Sequence, residues 1–221
     1  MIDLSLYDYA VFDCDGVILD SNRLKTEAFA RALEGDSEKY VDKMIAYHKA
    51  NGGVSRYKKF RYYFQEINPH EDVEKNAKEA ISRFAEIVQK GLIKCNHIPG
   101  VLDFINDVKK KGLSLFVVSG SDGEELREVF NKRKIDSLFS AIYGSPPTKT
   151  ENMKKVKSRV GAQTKGIFFG DSRSDLEVAE EFGLDFIFVK GVSEWREGDQ
   201  LTRIKGFITI KDFKEEAWTE L

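Results

Sequence analysis

The feature that most constrains this chain is a series of short, unbroken apolar runs, each closed by polar or glycine residues. Tyr9-Ala10-Val11-Phe12 ends at Asp13, Leu113 to Val118 ends at Ser119-Gly120-Ser121, and Ile167-Phe168-Phe169 ends at Gly170-Asp171. Phe186-Ile187-Phe188-Val189 and Phe207-Ile208-Thr209-Ile210 are two further runs, and a weaker one, Ala141-Ile142-Tyr143, stops at Gly144. A strand with one wet face alternates apolar and polar residues, whereas a strand buried on both faces does not. The runs therefore predict a parallel sheet covered on both sides. Helical spacing lies between them. Val101 to Lys111 stops at Gly112, Glu124 to Lys134 places Leu126, Val129 and Phe130 on one face, and Asp175 to Phe182 does the same with Leu176, Ala179 and Phe182. Strand and helix in alternation predict an α/β, Rossmann-like, doubly wound fold.

One region breaks the alternation. From Ser21 to Cys95 there is helical periodicity and no convincing strand. The spacing predicts helices over Glu27 to Leu33, Val41 to Lys49, Arg56 to Ile67 with Ser55 as N-cap, and Val73 to Lys90. This predicts a separate helical domain over 21–95, inserted into a core made of 1–20 and 96–221. A chain of 221 residues is long enough for a core plus a small second domain.

Charge and composition narrow the partners. The net charge of −2 offers no field for nucleic acid or an acidic membrane. No apolar run is long enough to span a bilayer, and the first residues have no signal-peptide pattern. Cys14 and Cys95 form no disulfide framework and read as reduced thiols, so the expected location is the cytoplasm.

In an open parallel sheet, ligands bind outside the carboxyl ends of the strands. The residues that close the apolar runs should gather there: Asp13, Asp15, Ser119, Gly120, Ser121, Asp171 and Asp175, joined by Lys149 from the loop after Pro146-Pro147. Crowded carboxylates repel each other unless a cation is present, and an all-oxygen site suits Mg²⁺. Lys149 and the metal would then attract a phosphate dianion. Ser119 offers a hydroxyl, and Gly120 and Ser121 offer backbone amides. Asp13 could attack phosphorus, with Asp15 protonating the leaving oxygen and later deprotonating water. Each element alone has a plainer explanation: Asp-Cys-Asp-Gly as a turn, Ser-Gly-Ser as a strand-to-helix link with Ser121 or Asp122 as N-cap, Gly-Asp-Ser as turn and cap, and Lys149 as a solvated lysine. Their joint placement after successive strands favours the chemical reading.

Four motifs, in order, resemble the haloacid dehalogenase-like hydrolase superfamily. They are Phe12-Asp13-Cys14-Asp15-Gly16-Val17-Ile18-Leu19-Asp20-Ser21, Val118-Ser119-Gly120-Ser121, Lys149-Thr150-Glu151, and Phe169-Gly170-Asp171-Ser172-Arg173-Ser174-Asp175. The resemblance covers nearly the whole chain and implies a helical cap after the first motif. It implies Asp13 as nucleophile and metal ligand, and Asp15 as general acid/base that also gives Mg²⁺ a backbone carbonyl. It implies Asp171 as a direct ligand, with Asp175 acting through water or by orienting Lys149. Ser119, Gly120 and Lys149 would hold the phosphate. A carboxylate at Asp15 implies phosphate esters rather than haloacids or phosphonates. Within the superfamily the chain resembles the phosphoglycolate phosphatase and β-phosphoglucomutase-like branch. Gly53-Val54-Ser55-Arg56 is similar to a cap segment of the mutases in which the arginine grips a sugar phosphate; the other reading of Arg56 is a solvated helix residue. Lys58, Lys59 and Arg61 read as a solvated helix face. Lys25 stands where the mutases have a histidine, and Gly170-Asp171 where they have two acids. Lys25 and Asn22 are candidates to line the cleft from the cap side. The expected activity is Mg²⁺-dependent hydrolysis of a small phosphorylated metabolite, with a sugar phosphomutase as the alternative and a non-catalytic binding protein as the third reading.

Overall fold

The structure is a computed structural model that describes residues 2–214. The expected core range also takes in residues 1 and 215–221, which lie outside the described residues. The strands are β1 (Tyr9–Phe12), β2 (Ser114–Asp122), β3 (Ala141–Ser145), β4 (Gly166–Gly170), β5 (Asp185–Val189) and β6 (Ile208–Ile210). They form one parallel sheet in the order β3-β2-β1-β4-β5-β6. The chain steps outward from β1 to β3, then crosses back to β4 on the other side of β1. That reversal opens a crevice at the carboxyl ends of β1 and β4, where Asp13 and Asp171 follow their strands.

Both sheet faces are dry, which is why the strands read as unbroken apolar runs. Ala10 and Phe12 of β1 enter one apolar cluster, and Tyr9 and Val11 enter the other. Phe12 stacks on Phe169 with ring centroids 4.8 Å apart, fixing the two site-bearing strand ends against each other.

Helices α1 (Asn22–Ala32), α2 (Glu38–Ala50), α3 (Arg56–Tyr62) and α4 (Val73–Lys94) lie between β1 and β2, with no named strand among them. The core helices are α5 (Val101–Lys110), α6 (Gly123–Lys132), α7 (Lys149–Val160), α8 (Arg173–Glu181) and α9 (Gly198–Ile204). Where the chain leaves and re-enters the sheet region, its two passages run side by side: Ile98 N donates to Ile18 O at 3.0 Å and Asp20 N to Asn96 O at 2.9 Å. Among the described residues no helix is long and apolar enough to cross a membrane.

Several sequence expectations are corrected. Ser119, Gly120 and Ser121 lie within β2, which runs on to Asp122 after a register shift against β3, rather than in a loop. Asp122, not Ser121, caps α6, its carboxylate accepting from the amides of Glu124 and Glu125 at 3.0 and 2.9 Å. Ser55 is the N-cap residue of α3 as expected, but its side chain makes no capping bond. The predicted Arg56 to Ile67 helix divides into α3 and a π-helical turn, Tyr63–Ile67. The wider turn allows adjacent Tyr63 and Phe64 both to be buried, and Tyr63 Oη donates to Asp36 at 2.6 Å. Helix α1 starts five residues before the expected Glu27, and α4 runs past Lys90 to Lys94.

Candidate active site

Local capping chemistry places the site's charges. Thr148 and Glu151 form a reciprocal capping box that starts α7 at Lys149. Ser172 and Asp175 form a second box at the start of α8. Asp175 Oδ2 accepts from the Ser172 amide at 3.0 Å and its hydroxyl at 2.6 Å, while Oδ1 accepts from Lys149 Nζ. Lys149 Nζ also lies 3.1 Å from Asp13 Oδ2. One buried ammonium therefore bridges the ends of β1 and β4. Burial opposes its charge, but Asp13 and Asp175 outweigh that and raise its pKa.

Asp13 is 2% exposed. Its Oδ1 accepts from the Cys14 amide at 2.7 Å, and Ser119 also donates to its carboxylate. Burial is the main force that lifts the Asp13 carboxyl to about 6; Lys149 pulls it down, and the charges of Asp175 and Asp15 push it up again. Burial, then Asp13 and Asp175, also push Asp171 well above the usual carboxylate range. Asp13, Asp171 and Asp175 each offer an oxygen, all within 4.8 Å of one another. Three buried carboxylates around one ammonium are short of positive charge, and their all-oxygen donor set fits a hard divalent cation.

Asp15 points elsewhere. Its Oδ1 accepts from Ser21 Oγ at 2.5 Å, and its Oδ2 from Lys25 Nζ at 2.5 Å and Ser121 Oγ at 2.6 Å. Burial alone would raise its pKa, but the Lys25 charge and these hydrogen bonds outweigh burial and lower it. Its carboxylate lies outside the Asp13–Asp171–Asp175 group. Ser121 is thus engaged with Asp15 through its hydroxyl, and with Ser119 Oγ through its amide at 3.2 Å. Asn22 Nδ2, from α1, donates to Asp171 Oδ2 at 2.6 Å and to Val192 O at 3.0 Å.

Asp13, Asp15, Asp171, Ser119, Ser121, Lys25 and Asn22 line one cavity of about 70 Å³ roofed by α1, α2, α3 and the loop between the last two, with Lys149 and Asp175 buried beside it. Gly53 adopts a left-handed φ of 74°, and a Cβ there would collide with Lys149 Nζ and the hydroxyls of Ser172 and Ser174. A Cβ on Gly120 would collide with the Gly53 carbonyl. The two glycines let the roof loop sit directly on β2 and α7.

The roof differs from the sequence reading in two ways. Lys59 belongs to no solvated face; it is buried in the cavity wall, while Lys58 and Arg61 are exposed as expected. Arg56 is buried as well, which removes the solvated reading. Its guanidinium makes two bonds to Glu125 of α6, Nη1 to Oε2 at 3.1 Å and Nη2 to Oε1 at 2.5 Å. Breaking a buried ion pair strands its partner. Arg56→Met should therefore lower the unfolding free energy by about 3–5 kcal/mol in urea titrations, and Glu125→Leu added to it should restore much of the loss.

Sequence reasoning missed His48, Glu125, Glu194 and Trp195 near or lining the cavity, besides Lys59. A helical repeat from Arg56 through Lys59 and Phe60 to Tyr63 marks one buried face of this segment, so Lys59 was accessible to a stricter reading. Glu194 and Trp195 sit in the loop after β5, which has no motif.

A relative from Thermotoga maritima, "Phosphorylated carbohydrates phosphatase", is 24% identical over 184 residues, covering 80% of this chain and 82% of that one. "Phosphoglycolate phosphatase" from Synechococcus elongatus is 26% identical over 110 residues, covering 47% of this chain and 52% of that one. Among solved structures, a haloacid dehalogenase-like family hydrolase from Streptococcus pneumoniae superposes with a TM-score of 0.71 at 18% identity, covering 94% and 95% of the two chains; at that identity it speaks for the fold alone. The sequence model of the haloacid dehalogenase-like hydrolases matches residues 10–189, a stretch that runs from β1 to β5 and includes Asp13, Asp15, Asp171 and Asp175. The chain belongs to the haloacid dehalogenase-like hydrolase family.

Proposed function

We propose that the chain is a Mg²⁺-dependent phosphatase of small phosphomonoesters, sugar phosphates or related anionic metabolites, acting through an aspartyl-phosphate on Asp13. The observation that carries this is one cavity holding two different carboxylates: Asp13 beside Lys149, Asp171 and Asp175, and Asp15 two residues on, held by Lys25, Ser21 and Ser121. The names of the two curated relatives support the substrate class.

Asp13 and Asp171, with the backbone carbonyl of Asp15, would hold Mg²⁺. The ion would supply charge neutralisation between nucleophile and phosphate. Asp175 is the aligner of Lys149, because its oxygens are already taken by Lys149 and the start of α8. Lys149 and Ser119 would hold the phosphoryl oxygens and the Gly120 amide would add a donor. Ser121 helps by orienting Asp15. Asp13 Oδ attacks phosphorus, the bond to the ester oxygen breaks, and Asp15 gives that oxygen its proton. Asp15 then takes a proton from the water that attacks phosphorus and frees Asp13. Helices α1–α4 would act as a cap: the paired passages at Ile18–Asp20 and Asn96–Ile98 provide a narrow connection about which such a segment can move. A closed roof favours small substrates over macromolecules.

The mutase alternative rests on Arg56, whose fork is occupied by Glu125. No observation favours it. Assays on a phosphomonoester panel should show phosphate release with no isomerised ester in phosphorus NMR. EDTA should abolish release and Mg²⁺ should restore it, and Asp171→Asn should raise the Mg²⁺ concentration needed by at least ~10-fold. Full activity in EDTA, or isomerisation without release, would overturn the proposal.

A further inference from the structure

The buried cations in and beside the cavity are matched to carboxylates one by one, with a single exception among the described residues. Lys149 contacts Asp13 and Asp175, Lys25 contacts Asp15, and Arg56 contacts Glu125. Lys59, on α3, is 2% exposed and forms no ion pair among the described residues. Its Nζ reaches His48, 2.8 Å from Nδ1 and 3.3 Å from the backbone oxygen, and lies 5.5 Å from the centroid of the Phe29 ring. An ammonium has three N–H donors and no acceptor. When Lys59 is charged, His48 Nδ1 accepts and the third N–H has no acceptor among the described residues.

That assignment fixes the imidazole. Burial and the Lys59, Lys25 and Lys49 charges keep the ring neutral, and with Nδ1 accepting from Lys59 its proton lies on Nε2. Nε2 is itself buried without a hydrogen-bond partner, and the nearest carboxylate oxygen recorded, Glu194 Oε2, is 3.8 Å away. Two donors on the wall of the cavity that holds Asp13 thus lack acceptors. A buried ammonium with no direct ion-pair partner is costly. Burial, reinforced by Lys25, pushes Lys59 down to about 7 although Glu194 and Asp15 pull it up, so an anion in direct contact would strengthen its charged form.

We propose that Lys59 and His48 form a second anion subsite, which selects phosphomonoesters that carry a further anionic group, a carboxylate or a second phosphate, besides the phosphoryl group taken by Asp13. This rests on the phosphatase reading above. Lys59 supplies the charge and His48 Nε2–H a directed hydrogen bond, while Phe29 and Phe84 wall the same cavity with apolar surface.

The test compares matched pairs: 2-phosphoglycolate against 2-hydroxyethyl phosphate, and fructose 1,6-bisphosphate against fructose 6-phosphate. 4-Nitrophenyl phosphate, which has no second anion, is the control. The wild type should prefer the charged member of at least one pair, and which pair shows the preference separates carboxylate from phosphate. Lys59→Met should raise KM for that charged member roughly 30- to 100-fold, on the scale of a buried charge pair losing one partner. It should leave 4-nitrophenyl phosphate turnover within about 3-fold, the scale of a lost contact outside the reacting groups. Lys59→Arg should recover part of the preference, and His48→Phe should weaken it. No preference in the wild type, or an equal loss on every ester including the control, would overturn the subsite while leaving the phosphatase reading standing. Should the wild type hydrolyse no ester, that reading falls, and calorimetry on Asp13→Asn decides the subsite alone. Tighter binding of 2-phosphoglycolate than of 2-hydroxyethyl phosphate, lost with Lys59→Met added, supports it; equal or absent binding of the two refutes it.

Discussion

Asp13→Asn is expected to lower kcat by about 10⁴-fold or more, because it removes the attacking group itself. The amide has the carboxylate's shape, so contacts with Cys14 and Ser119 can persist through its oxygen. It is not a nucleophile towards phosphorus, and the neighbouring carboxylates are engaged elsewhere, Asp171 with Asn22. Asp15 is turned to Ser21, Lys25 and Ser121, and Asp175 is fixed between Lys149 and the start of α8. Stability should move the other way. Burial and neighbouring carboxylates raise the Asp13 pKa on folding, from 3.8 to about 6. A carboxyl raised in this way favours the native state when protonated, and that contribution is lost as pH rises through the same window. At neutral pH without metal the amide relieves this cost, so the melting temperature in EDTA should hold or rise. A large loss of kcat together with a lower melting temperature would point to damage rather than chemistry.

Asp15→Asn is expected to lower kcat by roughly 10²- to 10⁴-fold, the range for a single general acid/base. The loss should depend on the leaving group. An alkyl phosphate needs its departing oxygen protonated and should show the full effect, whereas 4-nitrophenyl phosphate departs as a stable anion and should show less in the first step. Both still need a base for the attacking water, so the second step slows for each. In the structure Asp15 is held towards its ionised form by Lys25, Ser121 and Ser21, against burial. A phosphate dianion arriving in the cavity opposes that charge and favours protonation of Asp15. The same residue can then act as acid before the intermediate and as base after it. A comparison of kcat/KM on the two ester types, which reports the steps up to departure of the leaving group, reads this directly; equal losses on both would argue against leaving-group protonation by Asp15.

The edge of the sheet where the candidate site lies was legible because it depends on short-range signals that repeat. Runs such as Tyr9 to Phe12 and Ile167 to Phe169 are apolar on both faces, and the residue after each strand falls at the crevice by topology alone. Asp13, Asp15, Asp171, Asp175 and Lys149 followed from that. Helix α7 was missed although Thr148 and Glu151 spell out its capping box, because its face is only sparsely apolar, with Met153 and Val156 buried. The roof was harder for a different reason. Whether Lys59 faces solvent or cavity depends on how α3 packs against α1, α2 and α4, and a lysine at a buried helical position looks like any other lysine until that packing is known. Arg56 shows the same limit: its environment is set by Glu125, 69 residues away in sequence.

The central claim is that phosphate passes through Asp13. The direct measurement is to quench the enzyme during steady turnover with Mg²⁺, reduce it with borohydride and map position 13 by peptide mass spectrometry. An aspartyl-phosphate is reduced to the homoserine side chain, so the account predicts homoserine at position 13 when substrate and Mg²⁺ are present, and unmodified aspartate when either is withheld. Unmodified Asp13 in enzyme that is turning over and quenched under the same conditions would contradict it.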